Sequence, residues 1–203
     1  MTTARRVHHT YADYLFALEM SEVKLEYCDG EIYAMAGGTP AHAELAAAVT
    51  ALVLNALRGR CRVFSSDLKV RVEATDLSAF PDVTVVCGDR QLSPIDQNAV
   101  INPTLLVEVT SPSTADYDRG EKLSHYKQCP SLTAVLIVSH RHRQVTVFER
   151  VGSSWEQREF RASESAVVRA PELSFAIDEL YAGIELEAGG PRRSSPGPEG
   201  TPS

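Results

Sequence analysis

Glu108 is the most demanding residue in this sequence. It interrupts the apolar run Leu105-Leu106-Val107-Glu108-Val109. An ionised carboxylate inside such a run costs several kcal/mol of desolvation unless it is paired or meets a cation. A structural ion pair with an arginine or lysine, or a strand with one solvated face, would meet that demand as well as a metal site. Asp82 follows Pro81 and opens Asp82-Val83-Thr84-Val85-Val86. Proline lacks the ladder donor, so pairing begins after it and the aspartate falls at a strand end. There a carboxylate can reach a ligand beside the sheet or simply make a turn. Lys122 follows Asp118-Arg119-Gly120-Glu121, with Tyr126 four residues on and so on the same helical face. Its long stem can carry an ammonium to the carboxylates or out to solvent. As a set, the three suit phosphoryl chemistry. Two carboxylates can hold Mg²⁺ (or Mn²⁺), with waters completing the shell. The cation would polarise a phosphate oxygen and acidify a water. The lysine would orient that water or offset charge developing on the phosphate. Asp82, Glu108 and Lys122 are therefore candidate catalytic residues, and the two acids candidate metal ligands.

Other residues could line such a site. His42 and Glu44 begin a long helix, where a side chain can orient a water or a ligand, or serve capping and packing. Asp118, one turn before Lys122, could steer that lysine or favour the first turn of its helix through the dipole. Ser111, Ser113 and Thr114 suggest a hydroxyl nucleophile, but no base accompanies them and Ser-Pro-Ser-Thr before a helix is capping chemistry. His140-Arg141-His142-Arg143 is a basic turn that could touch phosphates or be a solvated hairpin tip. Arg58, Arg60 and Arg62 carry the same two readings.

Positioning these residues requires a sheet and two helices. Thr10 caps a helix over 11–20. Asp29-Gly30 is a hairpin turn. Thr39-Pro40 starts a helix over 41–58, with Leu45, Val49, Leu52, Val53 and Ala56 on one face, and Gly59 ends it. Strands are expected in 61–66, 68–73 and 82–88, a loop over 91–103, and a strand buried on both faces over 104–110. A helix should follow 111–114 and close at Pro130, with a second buried strand over 133–139. Segments 144–150 and 154–160 alternate and read as a hairpin outside the core. Residues 168–181 supply one more strand-like piece and a short helix. The order predicts an α/β (α+β) fold, a mixed sheet flanked by helices, with an additional N-terminal hairpin and C-terminal strands.

Pro81-Asp82 and the stretch LLVEVTSPSTADYDRGEKLSHYKQCPSL at 105–132 resemble the Uma-two family of restriction endonuclease-like proteins, within the PD-(D/E)XK nuclease superfamily. LEYCDGEIYAMAGGTPAH at 25–42 and LSFAIDELY at 173–181 are similar to it too, so the resemblance spans roughly residues 10–186. It implies a restriction endonuclease-like sheet and metal-dependent cleavage of phosphodiester bonds in DNA. Asp82 and Glu108 would be ligands of Mg²⁺ (or Mn²⁺) and Lys122 the catalytic lysine, while Glu31 matches a family acid that would join the metal site or stand beside its ligands, or else is a solvated hairpin carboxylate. One position departs from the superfamily pattern. Its lysine usually stands two residues after the acid, and Thr110 occupies that place. The resemblance implies that Lys122 substitutes from the following helix.

At 203 residues the chain is long enough for one domain, expected over 10–186 between a flexible 1–9 and a disordered Gly/Pro/Ser-rich 187–203. A net charge of -7 and a pI of about 5.4 exclude a general nucleic-acid coat but not an enzyme with local basic groups. Cys28, Cys61, Cys87 and Cys129 show no CxxC spacing, and reduced, mostly buried thiols fit best. The N-terminus lacks an apolar signal core, and the apolar stretch 45–57 is shorter than the ~20 residues of a span. These features suggest a cytoplasmic protein without a membrane. A homodimer would let two sites cut two DNA strands. The alternative is a catalytically inactive nuclease-fold protein that binds nucleic acid or a protein partner.

Overall fold

A computed structural model describes residues 7–35, 38–111 and 118–186 of the chain. The expected tail therefore lies outside the described residues, as do Ser113 and Thr114.

Helix α1 (Tyr11–Met20) starts on a reciprocal cap. The Thr10 hydroxyl accepts from Asp13 N–H, and the Asp13 carboxylate accepts from Thr10 N–H. Strands β1 (Leu25–Cys28) and β2 (Glu31–Ala34) pair antiparallel across Asp29-Gly30. Both turn residues have positive φ, 43° and 86°, the tight hairpin geometry that Asp-Gly favours. Helix α2 (Pro40–Leu57) is capped by Thr39 and buries Leu45, Val49, Val53 and Leu57 as one stripe. By length and composition this 18-residue helix could cross a membrane, so the apolar segment is longer than the 45–57 stretch read from sequence. Its apolar stripe is instead packed in the core.

Twelve of the described strands form two six-stranded sheets. The first contains β1, β2, β4 (Lys69–Val72), β5 (Leu77–Ala79), β7 (Leu92–Ser93) and β8 (Asp96–Val100), in the order β2-β1-β5-β4-β8-β7. The second contains β3 (Cys61–Ser65), β6 (Val83–Cys87), β9 (Leu105–Val109), β10 (Ala134–Val138), β11 (Gln144–Val151) and β12 (Ser154–Arg161), in the order β12-β11-β10-β9-β6-β3. Strand β9 runs parallel to β10 and antiparallel to β6. Strands β13 (Ser165–Arg169) and β14 (Glu172–Ala176) form a separate hairpin, followed by α4 (Ile177–Leu180). Between β9 and β10, a π-helical turn (Asp118–Lys122) leads into α3 (Leu123–Tyr126).

The second sheet is covered on both faces. Leu105, Val107 and Val109 join α2, α4 and the β13–β14 hairpin in one cluster. Leu106, Val135, Ile137 and Phe148 point the other way, to Cys28, Val70, Val72, Leu77 and Ala79 of the first sheet and to Leu123 and Tyr126 of α3. Alternation along β9 then puts Glu108 on the same side as Leu106, facing α3 and the first sheet.

The expected mixed α+β architecture is present, with four corrections of detail. Residues 91–103 are not a loop but hold β7 and β8. Their polar residues conceal a strand, because the buried Asp96 is paired with Lys69, Nζ to Oδ2 2.6 Å. Strand β11 is part of the core sheet, with Val145, Thr146, Val147, Phe148 and Glu149 all buried. The C-terminal piece is two strands rather than one. Finally, Cys61 and Cys87 are not reduced thiols. They face each other across β3 and β6 and form a disulfide, with Cα atoms 4.3 Å apart. Only Cys28 and Cys129 are free, both buried. Strand pairing between residues 26 apart in sequence created this contact, which no local spacing could reveal.

Candidate functional site

Glu108 is 4% exposed in the middle of the second sheet. Its Oε1 accepts from the Tyr126 hydroxyl at 2.6 Å and lies 3.1 Å from Lys122 Nζ. Lys122 is itself only 3% exposed, and its ammonium also donates to Glu26 Oε1 at 2.9 Å. The same Glu26 oxygen accepts from Phe80 N–H at 3.0 Å. One buried ammonium is thus shared by two buried carboxylates, one from each sheet. Breaking such an arrangement by removing one member is costly, about 3–5 kcal/mol, because it strands a charge away from water.

Asp82 approaches from β6. The register pairs Val83 with Val107, so one more residue sets Asp82 across from Glu108. Its Oδ2 accepts from Val109 N–H at 2.7 Å and lies 3.5 Å from His42 Nε2. His42 comes from the first turn of α2, where its own N–H is held by the Thr39 hydroxyl. Gly38 makes room for the ring: a Cβ there would lie 2.7 Å from His42 Nδ1. Asp82 and His42 are half-buried, whereas the glutamate–lysine group is covered.

Helix α3 is fixed from below by Arg150 of β11. Its guanidinium donates to the carbonyls of Lys127, Cys129 and Leu132, at 2.8–2.9 Å. The bond to Lys127 satisfies an acceptor at the helix end, and the other two hold the turn that follows it. Leu123 and Tyr126 pack into the core between the sheets. Lys122 and Tyr126 therefore reach Glu108 from one helical face, as their spacing suggested.

The set carries three carboxylates, Glu26, Asp82 and Glu108, against one lysine. Its donors are all oxygen, the type that hard divalent cations take, and the excess negative charge favours such a cation. Asp82 and Glu108, on adjacent strands, are the pair that could hold one. Lys122 and Tyr126 supply proton donors beside Glu108.

The remaining sequence candidates are dispersed. Glu31 lies across the hairpin from Cys28, with its carboxylate hydrogen-bonded to the Tyr33 hydroxyl, which pushes that phenol up to about 12. Glu44 is exposed on α2. The side chain of Asp118 lies outside the described residues. Thr110, at the usual lysine position, is buried and meets His140 Nδ1 at 2.8 Å. His140 is therefore a packed residue, and only Arg141, His142 and Arg143 of the basic turn are exposed. Arg60 donates to the carbonyls of Ala56 and Glu172 and ties α2 to β14. With Arg58 and Arg62 it sits at the far end of α2, ~27 Å from the His42 end at 1.5 Å per residue.

Glu26 was missed. Within Leu25-Glu26-Tyr27-Cys28 it reads as the solvated member of a hairpin. The signal available was that Glu26 and Cys28 share one face of β1 by alternation, and a cysteine favours the buried one.

The comparisons with known proteins bear on the family and the fold. The chain is 35% identical over 174 residues to the uncharacterized protein slr1290 of Synechocystis sp., covering 85% of this chain and 90% of that protein. It is 30% identical over 144 residues to sll1609 of the same organism, covering 70% and 81%. It also shares its fold with a crystal structure described as "a putative nuclease belonging to DUF820" from Anabaena variabilis. That match has a TM-score of 0.69 at 19% identity and covers 85% of this chain and 98% of the other. Residues 11–179 match the model of a family described as "Putative restriction endonuclease". With this match over most of its length, the chain belongs to the Uma2 family of restriction endonuclease-like proteins.

Proposed function

We propose that this protein is a divalent-metal-dependent endonuclease that hydrolyses phosphodiester bonds in DNA. The observation that carries the reading is the buried Glu26–Lys122–Glu108 group with Tyr126, set one strand from Asp82. Asp82 and Glu108 would hold Mg²⁺ or Mn²⁺. When bound, the cation supplies Lewis acidity toward a phosphate oxygen. Glu26 and Glu108 keep the Lys122 ammonium fixed, so its charge is already oriented when negative charge grows on the scissile phosphate. Val109 N–H and His42 orient the Asp82 carboxylate. The protein is expected to act as a homodimer in the cytoplasm, one site for each strand.

Purified protein is incubated with supercoiled, linear and single-stranded DNA in Mg²⁺ or Mn²⁺, beside Asp82→Asn, Glu108→Gln and Lys122→Met. Cleavage by the unaltered chain and a loss of ~10²-fold or more in each variant are expected. Equal cleavage by all four proteins would overturn the reading. RNA is the parallel substrate, and light scattering gives the subunit number.

A second reading has one observation in its favour. The Lys122 ammonium already sits between two glutamates, an arrangement that also serves as a core ion-pair network. A nuclease-fold protein that only binds nucleic acid or a protein partner would bind DNA without turnover, and its binding would be insensitive to Glu108→Gln.

A further inference from the structure

We propose a second metal site, for a thiophilic divalent cation such as Zn²⁺, formed by Cys28, Glu121 and His125. It is separate from the oxygen-ligand site above, and its existence does not depend on nuclease activity. Cys28 ends β1, Glu121 lies in the π-helical turn, and His125 lies on α3. One ligand atom from each falls within 4.8 Å of the others. Glu121 and His125 are four residues apart, so they project from one face of the same helical segment.

The chemistry of the donors selects the cation. A thiolate, an imidazole and a carboxylate suit Zn²⁺, whereas Mg²⁺ takes oxygen and retains water. Cys28 Sγ and His125 Nε2 are 3.4 Å apart. Tetrahedral zinc, with bonds of about 2.3 Å to sulfur and 2.0–2.1 Å to nitrogen, sets those two atoms about 3.5 Å apart. The contact also matches a thiol–imidazole hydrogen bond, and Glu121 is what makes three donors of the pair. Among the described residues, His125 Nδ1 has no hydrogen-bond partner, so the ring's polar contact is the one to Cys28. Burial pushes the Cys28 thiol up to about 11, and the surrounding Glu121, Asp29, Asp76 and Glu31 add to it. A cation at this point would offset that negative field and take the thiol as thiolate.

The consequence for the fold follows from what the ligands are attached to. Strand β1 carries Glu26 two residues before Cys28, and the helical segment carries Lys122 and Tyr126 between and beside the other ligands. Zinc would clip together β1 and the helical segment, two of the three elements that hold Lys122 between its glutamates. The open coordination position would be filled by water.

The test uses the full chain stripped with chelator and then dialysed against Zn²⁺ alone. One ion retained per chain is expected, lost in both Cys28→Ser and His125→Gln and kept in Glu108→Gln. Co²⁺ in place of Zn²⁺ should give a thiolate-to-metal charge-transfer band that Cys28→Ser lacks. Zn²⁺ should raise the Tm of the unaltered chain by several degrees and leave that of His125→Gln unchanged. Retention unaffected by both substitutions, no retention by the unaltered chain, or Co²⁺ bound without a thiolate band would each overturn the site. A Cys28→Ser protein that does not fold leaves His125→Gln to decide. Failure of DNA cleavage would not alter zinc retention, so the two proposals fail separately.

Discussion

The Glu26–Lys122–Glu108 group places two negative charges around one positive charge, with all three side chains less than a tenth exposed. Such a group holds its members in one geometry, because any departure leaves a charge without water or partner. Glu26 should therefore matter to turnover although it offers nothing to the acid–acid–lysine pattern. Glu26→Gln keeps an acceptor for Phe80 N–H and removes only the charge that holds Lys122. The expected result is a fall in kcat of ~10²-fold, the scale of an ångström of misplacement, with KM little changed. Steady-state kinetics on a DNA substrate would check it, and a rise in KM at constant kcat would contradict it. Glu108 was readable in the sequence because its neighbours are all apolar, and Tyr126 followed from helical spacing. Glu26 was not, because its strand belongs to a hairpin and the partner that explains its burial, Lys122, lies 96 positions away.

The first sheet is held to α1 by polar contacts under cover. Lys69 and Asp96 form a buried pair on β4 and β8, and the Tyr11 hydroxyl donates to Asp96 at 2.7 Å. Burial alone would raise the Asp96 carboxyl. Lys69, Tyr11 and Asn98 N–H outweigh it and hold the carboxyl below its usual range. A carboxylate depressed in the folded state contributes stability above its unfolded pKa, near 4, and that contribution is lost as pH falls through the lower folded value. Asp96→Asn should cost about 3–5 kcal/mol at neutral pH by leaving Lys69 without its charge partner. The gap between the two proteins should then narrow below pH ~4, as urea titrations at several pH values would record. At the edge of the second sheet, the Cys61–Cys87 disulfide closes a loop of 26 residues. Chain entropy assigns such a loop about 3–4 kcal/mol. Cys61→Ser with Cys87→Ser should lose about that much in chemical denaturation, and reduction of the unaltered chain should do the same. The apolar strands and capped helices were legible because their signals are local. Strand β8 was not, since its buried aspartate takes its place from Lys69 some 27 residues earlier. The disulfide likewise exists only once β3 and β6 have paired.

At the scale of the whole molecule, a chain of net charge -7 that acts on DNA, as proposed, would have to meet a polyanion. Long-range repulsion opposes the encounter, so binding has to come from a local positive surface and from a cation at the acids. The exposed Arg141 and His142 are well placed to provide that surface. Strand β10 pairs Ile137 with Glu108 and runs on into their turn, so Arg141 stands four residues past the level of the buried acid, ~13 Å at strand rise. The Thr110–His140 contact fixes the turn to the end of β9. Arg141 Nε donates to His140 Nε2 at 3.1 Å, and the residue is exposed. Arg143, by contrast, is engaged with Asp178 at 3.5 Å. A single phosphate contact from Arg141 would reduce the slope of log K against log salt by about 0.9 when removed. The measurement is made in the Lys122→Met background with Mg²⁺ present, so that the DNA stays intact. Arg141→Ala should weaken binding by a similar factor for every DNA sequence tried and flatten the salt dependence by close to one unit. Arg60→Ala, at the far end of α2, should change neither, and an equal effect from Arg60 would move the DNA to a different face of the molecule.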